Sequence, residues 1–442
     1  MPSPDVESRS EPKPETPTAR VDASPALLTR RRRRRWLFRL VTLSFLLVGQ
    51  EALFRFLFPL PEVNGFNRIH YQQMAQVHPQ LGKAMKRGLV YDRLLLESRP
   101  DGFSKVHNLN LYGFRGPDFA IEPSAGRRRI LVIGDSVTEG QGADDGTTIT
   151  AEWSRILQRE GTAAEVVNLG VIAASLPHLS ILTRDAVSLL HPTDVVVVLY
   201  ANDLPAPAYL PVFDTPGKPF VGDSRLWWRP RLAVLTSRAI FEEPIYRRWL
   251  HLPVQFFAPV PDSTNPWTDR KGRPDNLSPA LYDDMVAGRL NPWLYNQSAD
   301  MPVALAHDFG QGGSPFRYLQ RMAEVCQKNQ ARLILAYVPF CGVVNSRYVP
   351  SLVELGMDRT IAEALATDPK YRSQNRFLAD LCRDMSLPLA DATADLEKAE
   401  AAGSVLFWRY DTHPNADGYA TIARRIHATW RDATGGRSKG KN

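Results

Sequence analysis

The sequence predicts an α/β protein built on a doubly wound parallel sheet, and three observations lead to this prediction. Strand-like runs recur near 129–133, 164–168, 194–200, 331–338 and 388–390. The run Ile130 to Ile133 is short, unbroken and apolar rather than alternating, as in a strand that is buried on both faces of a parallel sheet. Helical patterns separate several of the runs. This alternation indicates βαβ units with helices on both faces, in a flavodoxin-like arrangement.

The amino-terminal part predicts a disordered tail and then a membrane segment. Residues 1–35 are polar and Pro-rich and end in six arginines, Arg30 to Arg35. The apolar stretch 36–58 would form a helix of about 34 Å, which is enough to cross a bilayer core of roughly 30 Å. Within it, Glu51 and Arg55 are spaced to pair on one helix face. We therefore expect a single-pass transmembrane helix.

This helix sets the expected location of the rest of the chain. By the positive-inside rule the arginines stay in the cytoplasm, so the body of the chain is expected outside it, in the periplasm if the cell is Gram-negative. Two alternatives stay open. The uncharged core Leu40 to Gln50 is short enough for a cleaved export signal, and a buried amphipathic helix is the third interpretation. Residues 59–124 then form a connector to the first strand of the sheet.

The first predicted strand ends in a candidate nucleophile. Gly134, Asp135 and Ser136 directly follow the apolar run Ile130 to Ile133. A serine there would lie at the carboxyl edge of the sheet, where open α/β folds bind ligands, next to the amino end of a following helix. A helix-capping box formed by Ser136 and Glu139 is the alternative interpretation.

The next two predicted strands end in residues that could bind an oxyanion. Gly170 closes the run from Val166, and a glycine there could offer its N–H without obstruction by a side chain. Asn202 follows the strongly β-branched strand 194–200 and could supply a side-chain amide, although an ordinary turn explains it as well. With the Ser136 N–H, these residues would supply three donors around one point.

The alternation breaks between 205 and 313. This stretch contains 15 of the 35 prolines and five of the nine tryptophans. It is too long for an ordinary connection, so we expect an inserted subdomain that leaves just after Asn202 and overhangs the site. The tryptophans would either stack on sugar rings or, as the simpler alternative, pack a small core of the insert. The α/β domain is thus expected to span 125–204 and 314–432, before a basic tail at 433–442.

Near the end of the chain, Asp411 and His413 precede a helical pattern from Gly418 to Trp430. In an extended or turn backbone, residues two apart point to the same side, so the Asp411 carboxylate could hold one nitrogen of the His413 ring. The other nitrogen would then be free to act as general base toward Ser136. A surface-loop histidine is the alternative.

Composition limits the classes of partner. Outside the basic ends, residues 40–436 contain 41 basic and 42 acidic residues, which argues against a nucleic-acid surface. Three cysteines, Cys326, Cys341 and Cys382, allow at most one disulfide. Neither metal-ligand spacing nor a phosphate-binding glycine loop is present, so we expect no cofactor and no metal.

The ordered set of motifs resembles the SGNH hydrolases, also called GDSL esterases and lipases. Ser136, Gly170, Asn202 and the Asp411–His413 pair stand in the order of that family's four blocks. Asn110 to Gly116 also resembles a segment of its membrane-anchored bacterial members. Two positions depart from the pattern: Tyr200 replaces a usual glycine, and the last block has one residue fewer between its acid and its histidine.

The resemblance implies an SGNH hydrolase fold and a serine esterase. Ser136 would be the nucleophile, His413 the base, Asp411 its orienting partner, and Ser136, Gly170 and Asn202 the oxyanion hole. The expected substrate is an acyl ester, above all an acetyl ester of an envelope or extracellular polysaccharide. An O-acyltransferase with the same triad and a catalytically weak glycan-binding envelope protein are the alternatives. The sequence predicts no oligomeric state.

Overall fold

In the computed structural model, the described residues are 25–57, 93–204, 272–310 and 312–435, with Phe66, Arg68, Tyr71 and the pair Val254–Gln255. The predicted disorder at 1–24, the last residues of the basic tail and most of the insert lie outside them. The chain divides into two units, Met1–Pro59 and Leu60–Asn442.

The first unit contains one long helix, α1 (Pro25–Leu57). Its stretch Arg32–Phe56 is long and apolar enough to cross a membrane, and its large apolar side chains are exposed. Arg55 Nε lies 2.6 Å from Glu51 Oε1, so these two residues pair as predicted. A signal sequence near an amino terminus meets the same criteria of length and hydropathy.

The second unit is built on a five-stranded parallel sheet. Its strands are β3 (Arg128–Gly134), β4 (Ala164–Gly170), β5 (Asp194–Tyr200), β7 (Arg332–Val338) and β8 (Leu389–Asp391). The order across the sheet is β4-β3-β5-β7-β8, and every pairing is parallel. This is the flavodoxin-like order, with the topological switch point between β3 and β5. The predicted α/β fold is confirmed.

Alternate side chains of the central strands enter two separate cores, so both faces of the sheet are covered. Val132, Val196 and Ile334 belong to one core, which also contains Trp153 and Ile426. The neighbouring residues in each strand point into the other core. The larger helices around the sheet are α3 (Ile149–Arg159), α4 (Leu176–Leu190), α7 (Ser314–Lys328), α11 (Ser373–Asp384) and α13 (Ala416–Gly435).

Shorter helices complete the connections. They are α2 (Ser136–Glu139), α5 (Pro279–Val286), α6 (Leu294–Ala306), α8 (Cys341–Val344), α9 (Val349–Glu354), α10 (Arg359–Ala364) and α12 (Thr393–Ala401). Three single 3-10 turns lie at Asp145–Thr147, Ser346–Tyr348 and Pro369–Arg372. The three cysteines are buried and free, so none forms a disulfide.

A second, smaller sheet joins the connector to the insert. Strands β1 (Arg93–Ser98) and β2 (Phe103–Asn108) form an antiparallel hairpin, and β6 (Val254–Gln255) pairs in parallel with β1. The described part of the insert, 272–310, does not form a core of its own, because Leu281, Met285 and Met301 pack in the main core. Of the five tryptophans of the insert, Trp293 is described and is 49% exposed.

Candidate active site

Ser136 lies where the sequence places it, at the switch point of the sheet. β3 ends at Gly134, Asp135 caps the one-turn helix α2 by accepting a hydrogen bond from the Val137 N–H, and Ser136 is the first helical residue. A Cβ on Gly134 would lie 2.1 Å from Thr138 Oγ1 and 2.7 Å from the Val198 carbonyl oxygen. Only glycine therefore permits this sharp strand-to-helix turn beside β5.

Ser136, His413 and Asp411 form a chain of hydrogen bonds. Ser136 Oγ lies 2.8 Å from His413 Nε2, and His413 Nδ1 lies 2.7 Å from Asp411 Oδ1. The three side chains are almost fully buried. Nδ1 must be protonated to donate to the carboxylate, which leaves the lone pair of Nε2 to accept the Ser136 proton. The arrangement is that of a nucleophile, a general base and an orienting carboxylate.

The electrostatics of His413 suit a base that becomes charged in the reaction. Burial opposes protonation, but the charge of Asp411 and its hydrogen bond outweigh burial and raise the pKa of His413 above its ordinary value. Asp135 contributes in the same direction. The Ser136 hydroxyl also lies 3.2 Å from Asp135 Oδ2, but its contact with His413 is shorter.

The loop that carries Asp411 and His413 is closed at its base. Phe407 and Pro414 form an antiparallel bridge, and the Trp408 N–H donates to the His413 carbonyl. Thr412, between the two catalytic candidates, has a φ of 64°, in the left-handed region. Gln141 donates from Nε2 to Asp411 Oδ2 at 2.9 Å and so holds the carboxylate oxygen that His413 does not use.

Glu139 does not form the capping box that was the alternative explanation of this motif. Its carboxylate accepts hydrogen bonds from Arg68 and from His107 Nδ1, at 2.7 and 2.9 Å. Burial disfavours the carboxylate, but Arg68 and His107 outweigh burial and lower the pKa of Glu139 to about 2. Burial lowers the pKa of His107 to about 4. The connector is thereby joined to α2, the helix that begins at Ser136.

The role expected of Gly170 needs correction. Its N–H donates to Asn168 Oδ1 at 2.9 Å, so it is already bonded and not free for an oxyanion. A Cβ at Gly170 would lie 2.1 Å from the Glu139 nitrogen, and Asn168 Nδ2 donates to the Thr138 carbonyl. Gly170 and Asn168 therefore allow α2 to pack closely on β4. The sequence did not single out Asn168.

Two exposed groups lie at the same edge of the sheet. Asn202 follows β5 in a turn that Asp203 closes by accepting the Tyr200 N–H, and the Asn202 residue is exposed. Ala173 follows β4, is exposed, and has a φ of 61°, which is uncommon for a residue with a Cβ. Its N–H makes no hydrogen bond to the part of the chain that the structure describes. Tyr200 stands where the motif usually has a glycine. Its ring stacks on the His413 ring, with the two ring centroids 6.1 Å apart.

No protein-family model matches the chain, and no curated protein matches it significantly by sequence. Solved structures do match. A catalytic mutant of an acetylxylan esterase from Geobacillus stearothermophilus is 13% identical, with a TM-score of 0.36, over 70% of this chain and 95% of that one. A lipolytic protein of the G-D-S-L family from Desulfitobacterium hafniense is 12% identical, with a TM-score of 0.32, over 69% and 99%.

A lipase/acylhydrolase from Enterococcus faecalis is similar at 13% identity and a TM-score of 0.32, over 69% of this chain and 96% of that chain. These three proteins are described as an esterase, a lipolytic protein and a lipase/acylhydrolase. At these identities and scores the functional assignment depends on the geometry of the site itself.

Among the described residues, no group of three His, Cys, Asp or Glu side chains could hold a metal ion.

Proposed function

We propose that the chain is a serine esterase of the SGNH type that acts on acyl esters. The observation that carries this proposal is the chain of contacts from Ser136 Oγ through His413 to Asp411, at 2.8 and 2.7 Å. The order of the motifs along the sequence supports the same assignment. Acetyl esters of an envelope or extracellular polysaccharide are the proposed substrate class.

In the proposed reaction, Ser136 Oγ attacks the ester carbonyl carbon while its proton passes to His413 Nε2. Asp411 stabilises the imidazolium that forms. The tetrahedral intermediate collapses by breaking the bond to the alcohol oxygen, which takes the proton from Nε2. Water then attacks the acyl-enzyme with His413 again as base, and the carboxylic acid leaves Ser136 with its hydroxyl restored.

The oxyanion needs donors on the side of Ser136 that faces the sheet edge. We assign the Ser136 N–H, at the amino end of α2, and the side-chain amide of Asn202, whose residue is exposed. In place of the bonded Gly170 N–H, we assign the Ala173 N–H as the third donor. Its left-handed backbone follows the same strand, and strained conformations of this kind concentrate at active sites.

The test of the proposed chemistry uses the full chain in detergent and p-nitrophenyl acetate as substrate. We expect Ser136→Ala and His413→Ala each to abolish p-nitrophenol release above background. His191→Asn is the matched control, because His191 is exposed and lies at the end of α4, at a left-handed position that asparagine tolerates. Activity that survives in Ser136→Ala would overturn the assignment.

The acceptor of the acyl group distinguishes an esterase from an O-acyltransferase. The same triad serves both reactions, so we propose hydrolysis as the primary activity. Product analysis with an acetyl donor and an oligosaccharide present together separates free acetate from acetylated sugar. A fluorophosphonate probe separates both enzymes from a glycan-binding protein, which should not be labelled at Ser136.

We also propose that α1 anchors the chain in a membrane with Arg30 to Arg35 in the cytoplasm and the catalytic unit outside. The length and exposed apolar surface of Arg32–Phe56 support this topology. Alkaline phosphatase fused after residue 435 should be active, since that enzyme folds only outside the cytoplasm. The mass of the mature chain distinguishes an anchor from a cleaved signal.

A further inference from the structure

We propose that Asp101, on the turn of the β1–β2 hairpin, is a positioning residue for the catalytic pair. The proposal rests on the function proposed above. Asp101 lies outside the five-stranded sheet, in the stretch that the sequence indicates only as a connector. It nevertheless contacts the backbone of Asp411 directly, so the small sheet contributes to the active site.

The contacts of Asp101 commit both of its carboxylate oxygens to backbone donors. Oδ1 accepts the Tyr410 N–H at 3.0 Å, and Oδ2 accepts the Asp411 N–H at 2.8 Å. Oδ2 also accepts the hydroxyl of the buried Ser98 at 2.7 Å. A carboxylate satisfies all three donors, because an ionised aspartate only accepts hydrogen bonds.

The hairpin is itself anchored, so this contact is not that of a loose turn. The Gly102 N–H donates to the Arg99 carbonyl to close the turn, and Gly102 has a φ of 75°. The Arg99 N–H donates to the Arg289 carbonyl, in the described part of the insert. The fixed turn therefore holds the start of the catalytic loop from one side, while Gln141 holds the Asp411 side chain from the other.

Two negative groups lie close together in this arrangement, and this shows that the contact has an electrostatic cost. Burial raises the pKa of Asp101, and the nearby charge of Asp411 raises it further, although its hydrogen bonds act the other way. A residue that served only to close the hairpin would not need a carboxylate next to a catalytic one. Fixing the backbone of Asp411 explains why both oxygens point at this loop.

Asp101→Asn tests whether the hydrogen-bond acceptors of Asp101, rather than the size of its side chain, are needed. It keeps the size of the side chain but replaces one oxygen with an NH2 group. That group is a donor, so it cannot accept the hydrogen bond of the backbone N–H that it faces. Ser98→Ala removes one donor and leaves both backbone bonds. Glu97→Gln is the control, because Glu97 lies next to Ser98 on β1 and accepts a hydrogen bond from the Ser104 hydroxyl of the hairpin.

The experiment measures kcat and KM of the full-length protein in detergent, with p-nitrophenyl acetate as substrate. The concentration of active sites used to calculate kcat is taken from labelling with a fluorophosphonate. For Asp101→Asn we expect kcat to fall on the order of 10- to 100-fold with KM within about twofold, since small displacements of catalytic groups cost this much. The low-field proton NMR resonance of His413 Nδ1–H should shift. The loss of kcat should be smaller for Ser98→Ala than for Asp101→Asn, and the kcat of Glu97→Gln should equal that of the wild type.

The outcomes distinguish this inference from the proposed function. If Ser136→Ala is inactive but Asp101→Asn keeps kcat within about twofold of wild type, the positioning role is wrong and the esterase assignment stands. If kcat falls while the Nδ1–H resonance stays in place and the melting temperature drops, Asp101 is only structural. Activity in Ser136→Ala would overturn both.

Discussion

His413 Nδ1 and Asp411 Oδ1 lie 2.7 Å apart although one residue separates them in sequence, and the backbone of that residue makes the contact possible. Thr412 is in the left-handed region with a φ of 64° and is buried. A β-branched residue rarely adopts this conformation, because its Cβ approaches the following carbonyl. Asp411 and His413 are thus held together by a strained turn.

This strain predicts an unusual order of stability at position 412. Glycine normally costs roughly 0.5–1 kcal/mol relative to alanine, but a left-handed residue with a Cβ costs about 1–2 kcal/mol. We therefore expect Thr412→Gly to be more stable than Thr412→Ala by about 1 kcal/mol in urea unfolding. An alanine variant as stable as the glycine variant would show that the turn is not strained.

The hydrogen bond between Asp411 and His413 also predicts how the pH profile of kcat changes when Asp411 is replaced. His413 must be neutral to accept the Ser136 proton, and Asp411 is the main group that raises its pKa. In Asp411→Asn we expect kcat to fall by about 10²- to 10⁴-fold. The acid limb of the kcat profile should also move to lower pH, because the imidazole then loses its proton more readily. An acid limb that stays in place would contradict this assignment of the base.

Gly170 gives a prediction that separates packing from oxyanion binding. In Gly170→Ala the new Cβ would lie 2.1 Å from the Glu139 nitrogen, so α2 and Ser136 must move. We expect loss of activity together with a lower melting temperature. Gly310→Ala is the control, since a Cβ there meets nothing within 4 Å. A Gly170→Ala variant with normal stability and lost activity would favour the oxyanion role instead.

Asn202 is expected to act on the chemical step alone. Asn202 is exposed, in a turn that Asp203 closes, so removal of the Asn202 side-chain amide should leave the fold intact. For Asn202→Ala we predict a loss of 10²–10³ in kcat, the usual cost of one oxyanion donor, with an unchanged melting temperature. Asn329→Ala, at the exposed end of α7, controls for loss of an amide. A kcat near that of the control would remove Asn202 from the site.

The sequence predicts the sheet well, and it also predicts that Ser136, Asp411 and His413 lie close together, because these signals are local. A buried parallel strand is a continuous apolar run, so β5 and β7 lie within one residue of their predicted bounds. Ser136, Asp411 and His413 follow motifs that each lie within a few residues. The strand order then brings them to one edge, as expected from the switch point.

The remaining features of the site depend on contacts between distant residues, which carry no local pattern. Glu139 pairs with Arg68, and Asp101 bonds the backbone at Asp411, across hundreds of positions in the second case. The structure does not support the oxyanion role expected of Gly170. Its N–H pairs with Asn168, and a glycine in sequence does not show whether its N–H is already bonded.

His107 predicts an acid-sensitive link between the connector and the helix of Ser136. It is fully buried, its Nδ1–H donates to Glu139, and its Nε2 has no hydrogen-bond partner in the described part of the chain. A second proton would leave a buried N–H unpaired. Burial accordingly lowers the pKa of His107 to about 4, so the folded protein holds this ring neutral.

The sign of the effect follows from proton binding in the two states. Unfolded, His107 titrates near its ordinary pKa of about 6.5, so between about pH 6.5 and 4 the unfolded chain binds more protons and stability falls as pH falls. Glu139, with its pKa lowered to about 2, adds a further loss between about pH 4.3 and 2. Both groups therefore act in the same direction.

His107→Gln tests the upper part of this range. The glutamine amide can still donate to Glu139 but does not titrate, so the melting temperature of the variant should fall less between pH 6.5 and 4 than that of the wild type. His191→Asn, which removes an exposed histidine, should keep the wild-type slope. Parallel slopes for wild type and His107→Gln would mean that His107 is already charged in the folded protein, and the link to Glu139 would then be an ion pair.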